Sequence, residues 1–404
     1  MDPPDLEKSV GIEVYGTSTE GVGGFLKQVP EDFIVEEMTS SGNVCLVEGK
    51  TDFESSSGAY THFTLVKRNW SVFRAVGELS SRLHVSRKRF GFAGTKDKFA
   101  VTAQRMSVHD VSREALEKVG LKDLVLKDFS ESHAPIHLGN LSGNRFLVTV
   151  RGIELPLDEC GGRIADIAGG LSAGYPNFYG VQRFGVQRPV NHVIGKKILK
   201  GDLEGAVLTY LGGFSDNEYE SGGAKEFRRI AWSGDFKEAL KVAPAYLGPE
   251  KSMLNHLVEN PGDYLGALKR LPESLQVMFV HAFQSYVFNR ALSECIRNGY
   301  TVERLPVVGF KSNVDDVSRR ILEGEGVDAV DFDVRGERSW SSGGDVRECF
   351  EFAKDLKFDV GEDELNDGFR KAVFHFELGA GSYATVFLRE FLKNRYYENI
   401  RVNQ

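Results

Sequence analysis

Gly94-Thr95-Lys96-Asp97-Lys98-Phe99-Ala100, continuing as Val101-Thr102-Ala103-Gln104, sets a lone aspartate between two lysines in a glycine-led turn. An alternating apolar segment follows at once. A free aspartate titrates near 3.9, so this carboxyl is ionised at neutral pH, and flanking cations hold it so. Such a carboxylate is a nucleophile, a base or half of an ordinary ion pair. The turn alone leaves those roles open.

Outward from the turn, the residues read as mixed α and β structure. Phe33 and Val35 alternate with polar neighbours after the Pro30 turn, and Thr61–Val66 reads as a second strand. Ser71 is a candidate N-cap, with Val72, Val76, Leu79 and Leu83 at helical spacing over 71–84. Strands are expected at about 99–108 and around Phe146, Val148 and Val150. From about 190 to 300 the pattern turns helical, most clearly over Gln276–Leu292. The stretch 311–345, rich in Gly, Ser and Asp, reads as loops. Strand character returns at Ala372–Leu378 and leads to a helix over Ala384–Lys393. This order suggests a helical block inserted into a split α+β core.

The chain has 404 residues, 41% hydrophobic and 27% charged, ordinary for a globular protein of two or three domains. No apolar run is long enough to span a membrane, and the N-terminus Met1-Asp2-Pro3-Pro4 carries no signal-peptide pattern. Cys45, Cys160, Cys295 and Cys349 are isolated, which argues against a zinc ribbon or a disulfide framework and for a reduced, cytoplasmic protein. The formal net charge of −8 argues weakly against a nucleic-acid partner, yet between Thr61 and Arg105 ten basic residues face only Glu78 and Asp97. That window is either a solvated face or an electrostatic footprint for phosphates.

Several chemistries are absent. There is no phosphate-binding P-loop, and Gly21-Val22-Gly23-Gly24 lacks the third glycine of a dinucleotide fingerprint. Pro135 between His133 and His137 breaks the helix that an H-x-x-x-H metal pair needs. No G-x-S-x-G elbow exists. What remains is one carboxylate, a basic surround and nearby aromatic rings. An aspartate nucleophile needs neither metal nor cofactor, and chemistry on an RNA base requires the base extruded and stacked.

The motifs resemble those of the TruD-type pseudouridine synthases, which isomerise uridine to pseudouridine in tRNA. The likeness runs through Phe25-Leu26-Lys27 with Pro30-Glu31-Asp32-Phe33, the turn Ala93–Lys98, and Gly143-Asn144-Arg145-Phe146. It continues through Pro176-Asn177-Phe178-Tyr179-Gly180 with Gln182-Arg183-Phe184-Gly185, then Gln284-Ser285-Tyr286, then Gly381-Ser382-Tyr383-Ala384-Thr385. These occur in the family's order. Phe178-Tyr179 departs from it, since the family usually has Tyr before Phe.

The resemblance implies an α+β fold: a pseudouridine-synthase core of mixed, largely antiparallel sheet with flanking helices, split by an inserted α/β TRUD domain. The corresponding division is 1–170 and 341–404 for the core and 171–340 for the insertion. It implies Asp97 as nucleophile, Lys27 as its charge partner, and Phe146 stacked on the target base. Asn144, Phe33, Lys96 and Arg183 are the further substrate-binding candidates. It also implies a tRNA partner, no cofactor, no metal and no membrane, with a uridine in the D arm (position 13) as target and a monomer as the default state. The rival reading is a catalytically inactive RNA-binding or RNA-chaperone protein on the same fold.

Overall fold

The computed structural model describes residues 2–185, 188–213 and 222–394. The chain divides into two compact units, one made of Thr17–Tyr175 with the chain from Glu351 onward, the other of the chain up to Gly16 with Pro176–Phe350.

The first unit is built on a nine-stranded sheet. Its strands are β1 (Phe25–Leu26), β2 (Phe33–Thr39), β3 (Tyr60–Arg68), β4 (Phe90–Phe92), β5 (Val101–His109), β6 (Leu124–Ser132), β7 (Leu141–Ile153), β8 (Lys354–Glu362) and β9 (Arg370–Gly379). The order is β8-β9-β7-β2-β5-β3-β6, with β1 added to β7 and β4 to β5. Only β2 and β5 run parallel; the other ladders are antiparallel. Register decides what shares a face, because residues directly opposite in a ladder point the same way. Val35 lies opposite Phe146, Glu37 opposite Asn144, and Phe146 opposite Phe376. In the parallel ladder Val35 meets Thr102, and across β5 Thr102 meets Lys67.

Two helices cover the ends of that face. α1 (Val72–Leu83) is capped by Ser71, whose hydroxyl accepts the Arg74 amide at 3.2 Å, as its sequence position suggests. It lays Val72, Ala75, Val76 and Leu79 on Phe63, Leu65 and Met106. Burying each of its larger aliphatic side chains contributes roughly 1.5–3 kcal/mol. A further helix, α2, spans Leu157–Gly170, and α3 spans Ala384–Leu392. Phe387 and Phe391 of α3 pack on Phe376 and Phe374, with ring centroids 4.7 and 5.0 Å apart. The middle of the face, over β2, β5 and β7, is left to Lys27, Phe33, Phe146 and the Asp97 turn.

The second unit is mostly helical, with one antiparallel ribbon of Arg304–Val307 and Asp345–Glu348. The long helix Glu273–Arg297 buries Phe279, Phe283, Val287 and Phe288. The first residues of the chain join this unit: Asn289 donates to the Val10 carbonyl at 3.0 Å and Ser293 to that of Gly11 at 2.9 Å. One stretch differs from its sequence reading. Within 311–345, expected as loops, Asp316–Glu325 is a helix, with Asp315 accepting the amides of Val317 and Ser318 and Gly326 ending it at φ 65°. Only Ser318, Ile321 and Leu322 of it are buried, so its apolar stripe is too thin to stand out from the Gly, Ser and Asp around it. All four cysteines are free and buried. Among the described residues, no helix is long and apolar enough to cross a membrane.

Candidate active site

Asp97 sits in the connection from β4 to β5. The Gln104 side chain donates to the Gly94 carbonyl at 3.1 Å, and Gly139 donates its amide to the Ala93 carbonyl at 2.8 Å. The turn is thus tied at its start to two neighbouring segments. The Asp97 carboxylate meets the Lys27 ammonium at 2.5 Å; the Lys27 side chain is 1% exposed and that of Asp97 40%. One partner is sealed in and the other is partly open to solvent.

Lys27 reaches this position through an unusual backbone. Gly24 has φ 79°, and a Cβ there would meet the Arg151 carbonyl oxygen at 2.6 Å, so glycine is required. Lys27 itself has φ 63°, a left-handed conformation that costs a residue with a side chain roughly 1–2 kcal/mol. Its ammonium lies 4.1 Å from the centroid of the Phe33 ring. The Pro30-Glu31-Asp32-Phe33 motif is also accounted for locally. Asp32 accepts the Val29 amide at 2.9 Å and the Arg151 guanidinium at 2.7 Å, and Arg151 bridges on to Asp363 at 2.7 Å. This fixes the turn from which Phe33 enters β2.

Phe33 and Phe146 meet edge to face at 6.1 Å, and Phe146 stacks on Phe376 at 5.2 Å. Both rings are largely buried. Asn144, one step along the same face, has a buried side-chain oxygen without a hydrogen-bond partner among the described residues. The structure therefore brings Lys27 into contact with both Asp97 and Phe33 and sets Phe146 against Phe33. Lys96 turns inward, its ammonium 2.6 Å from the buried Glu37 carboxylate. Arg183 belongs to the other unit, where its guanidinium donates to the Ser285 hydroxyl at 3.4 Å. Of the Phe178-Tyr179 pair, Phe178 is fully buried. Tyr179 lies under the Arg347 guanidinium, 4.2 Å from its ring centroid.

Sequence reasoning passed over Lys67 and Glu37. Lys67 is fully buried on β3 and donates to the Asp97 carbonyl at 2.7 Å. Burial pushes its pKa down to about 8, although Asp97 opposes this. The signal was present: Phe63-Leu65-Lys67 and Phe33-Val35-Glu37 each put a charge in the apolar phase of a strand. For Asp97, desolvation raises the carboxyl pKa, but the charges of Lys27, Lys67 and Lys96 outweigh it, and the net shift is downward. The carboxylate is thus ionised and partly open, and the buried rings of Phe33, Phe146 and Phe376 lie beyond Lys27. A depression of about 620 Å³ is lined by Ile34, Glu36, Arg145, Leu147 and His375 together with Phe146 and Phe376; neither Lys27 nor Asp97 lines it.

Comparison with known proteins gives the family of the chain. The family model described as tRNA pseudouridine synthase D (TruD) matches residues 9–310 and 302–391. A protein of Methanococcoides burtonii described as "Probable tRNA pseudouridine synthase D" is 35% identical, over 96% of this chain and 98% of its own. A relative in Methanosarcina acetivorans with the same description is 36% identical, over 97% and 98%. A crystal structure from Methanosarcina mazei, described as "Putative tRNA pseudouridine synthase D (TruD)", matches with a TM-score of 0.80 and 36% identity, covering 98% of this chain and all of that one. Fold and matches together define an isomerase of the pseudouridine synthase class. The chain belongs to the tRNA pseudouridine synthase D (TruD) family.

Proposed function

We propose that this protein converts uridine to pseudouridine in the D arm of tRNA, at position 13, with Asp97 as nucleophile. The observation that carries the reading is the Lys27–Asp97 pair: a sealed lysine 2.5 Å from a carboxylate that stays open to solvent on its other side. On this reading 1–170 and 341–404 form the catalytic core and 171–340 the inserted domain; the compact units divide nearby, at Tyr175 and Phe350, with the chain up to Gly16 in the second unit.

The target uridine leaves the RNA stack, which costs a few kcal/mol of unstacking, recovered by contact with aromatic rings. Phe146 is the ring assigned to that contact and Asn144 to the nucleotide; both are covered, the ring 6% exposed, so entry of the base requires the residues over them to move. The ionised Asp97 carboxylate adds to C1′ of the ribose or to C6 of the ring, and Lys27 keeps it ionised. The C1′–N1 bond breaks, the uracil turns, C5 bonds to C1′, the aspartate is released, the C5 proton departs and N1 takes up a proton. Atoms and electrons balance without a co-reactant, as an isomerisation requires. Lys96 acts from behind through Glu37, adding positive charge near the carboxylate. Arg183, in the inserted domain, is assigned to RNA contact.

The test is to incubate unmodified tRNA with the protein and map pseudouridine along the chain. Pseudouridine at position 13 of the D arm is the expected product. RNA binding with no pseudouridine anywhere would leave the fold as an RNA-binding protein and end the catalytic reading.

A further inference from the structure

Many cations of the catalytic unit are matched by acids: Arg68 by Glu31, Arg145 by Glu36, Arg151 by Asp32 and Asp363. Several exposed ones are not, among them Arg82, Lys98, Lys118 and Lys122, and three gather where aromatic surface is also exposed. Arg74 on α1 and Arg87 and Lys88 in the turn that follows are exposed and have no ion-pair partner among the described residues. The three are near one another. The Arg87 guanidinium lies over Gly77 of α1, where an added Cβ would be 3.1 Å from it. An unmatched group of like charges repels itself, and an anion relieves that repulsion.

Aromatic surface stands among these charges. Phe73, beside Arg74 on the outer side of α1, is 67% exposed, unlike the buried Val72 next to it. Its ring meets that of Phe92 edge to face at 5.9 Å. Phe92 ends β4, one residue before the turn that carries Asp97. Leu138, 75% exposed, belongs to the segment whose Gly139 amide binds the Ala93 carbonyl at the start of that turn. The patch therefore borders the strand end and the loop from which the Asp97 turn starts. A protein partner would be expected to meet such charges with acids. A stacking ring flanked by unmatched cations is the pattern that receives unpaired nucleotides, bases on the ring and phosphates on the cations.

We infer that Phe73 and Phe92, with Arg74, Arg87 and Lys88, form a binding surface for the RNA strand flanking the target uridine: Phe73 stacks an unpaired base and the cations hold its phosphates. This rests on the proposed function for the identity of the RNA, but binding is read separately from catalysis. The experiment measures filter binding of unmodified tRNA across a salt series, and pseudouridine formation under single turnover, for wild type, Phe73→Ala, Phe73→Leu and the double variant Arg87→Ala/Lys88→Ala. Lys118→Ala/Lys122→Ala, two exposed lysines outside the patch, controls for loss of charge. Phe73→Ala should weaken binding roughly 5- to 150-fold, the loss of one base–ring stack. Phe73→Leu should not restore it, and the rate at saturating enzyme should hold. The double variant should lower the salt slope by about 1.4–1.8, two phosphate contacts. The control should leave affinity near wild type.

Wild-type affinity and slope in both patch variants would overturn the inference, even if the enzyme makes pseudouridine. Restored binding in Phe73→Leu would overturn the stacking role. If wild type makes no pseudouridine, the functional reading fails, and the binding series still decides the surface.

Discussion

Replacing Lys27 with methionine removes the charge that faces Asp97 while keeping an unbranched apolar stem. At 2.5 Å and an effective dielectric near 20, the pair attracts by about 7 kcal/mol. That gross figure shrinks because the Asp97 side chain is 40% exposed and water screens it, and because Lys67 and Lys96 still act on the carboxyl. Halving it leaves about 3 kcal/mol, or roughly a 150-fold fall in kcat/KM. Stability should change little, within about 1–2 kcal/mol. The lysine no longer pays desolvation, and the carboxylate left behind still reaches water. The pH dependence has a definite sign. With Lys27 gone, the Asp97 carboxyl holds its proton to higher pH, so the acid limb of kcat/KM moves upward. Pseudouridine formation releases the C5 hydrogen of uridine, so tritium release from C5-labelled tRNA gives the rate, and thermal unfolding gives the stability. A Lys27→Met protein with kcat/KM within threefold of wild type would refute the argument. So would an activity loss matched by a large drop in Tm, which would make Lys27 a structural residue.

Other outcomes follow from the same geometry. Lys67, with its pKa near 8, loses its proton above that pH, and with it a charge-assisted hold on the Asp97 carbonyl. Activity should fall on the alkaline side near pH 8, and Lys67→Arg should push that limb higher; stability should rise between about 8 and 10.5, where only the unfolded chain keeps the proton. Phe146→Leu keeps an apolar side chain on β7 at a cost of about 1–2 kcal/mol but removes a stacking ring, so single-turnover rates should fall roughly 5- to 150-fold while the fold persists by circular dichroism. In the helical unit, burial holds His192 neutral with its pKa down to about 4, so the unfolded chain takes up the proton first as pH falls. Stability should drop by about 3 kcal/mol between pH 6.5 and 4 through this group, and His192→Gln should flatten that slope in urea titrations.

Much of the site was legible because its parts are local. The Asp97 turn is announced by glycine, two lysines and a following strand pattern, and Ser71 marks the start of α1. Residues that matter through long-range pairing were harder to see. Lys67 and Glu37 gain meaning only when β2, β5 and β3 lie side by side, since a lone charge in a strand gives no sign of what it will face. Lys96 shows the same limit from the other side. The resemblance made it a substrate-binding candidate, whereas its ammonium pairs with the buried Glu37 carboxylate. The family motifs supplied Lys27, some seventy residues from its partner, which neither spacing nor composition pointed to. Asp316–Glu325 escaped because a helix with so narrow an apolar stripe looks like the loops around it.

The central claim is that the Asp97 carboxylate, rather than the basic patch or the aromatic rings, performs the chemistry. Asp97→Asn keeps the shape of the side chain and a hydrogen-bonding oxygen but cannot act as the nucleophile. Tritium release from C5-labelled, unmodified tRNA should be undetectable with this variant, while filter binding stays near wild type. Turnover at the wild-type rate would contradict the account at its root.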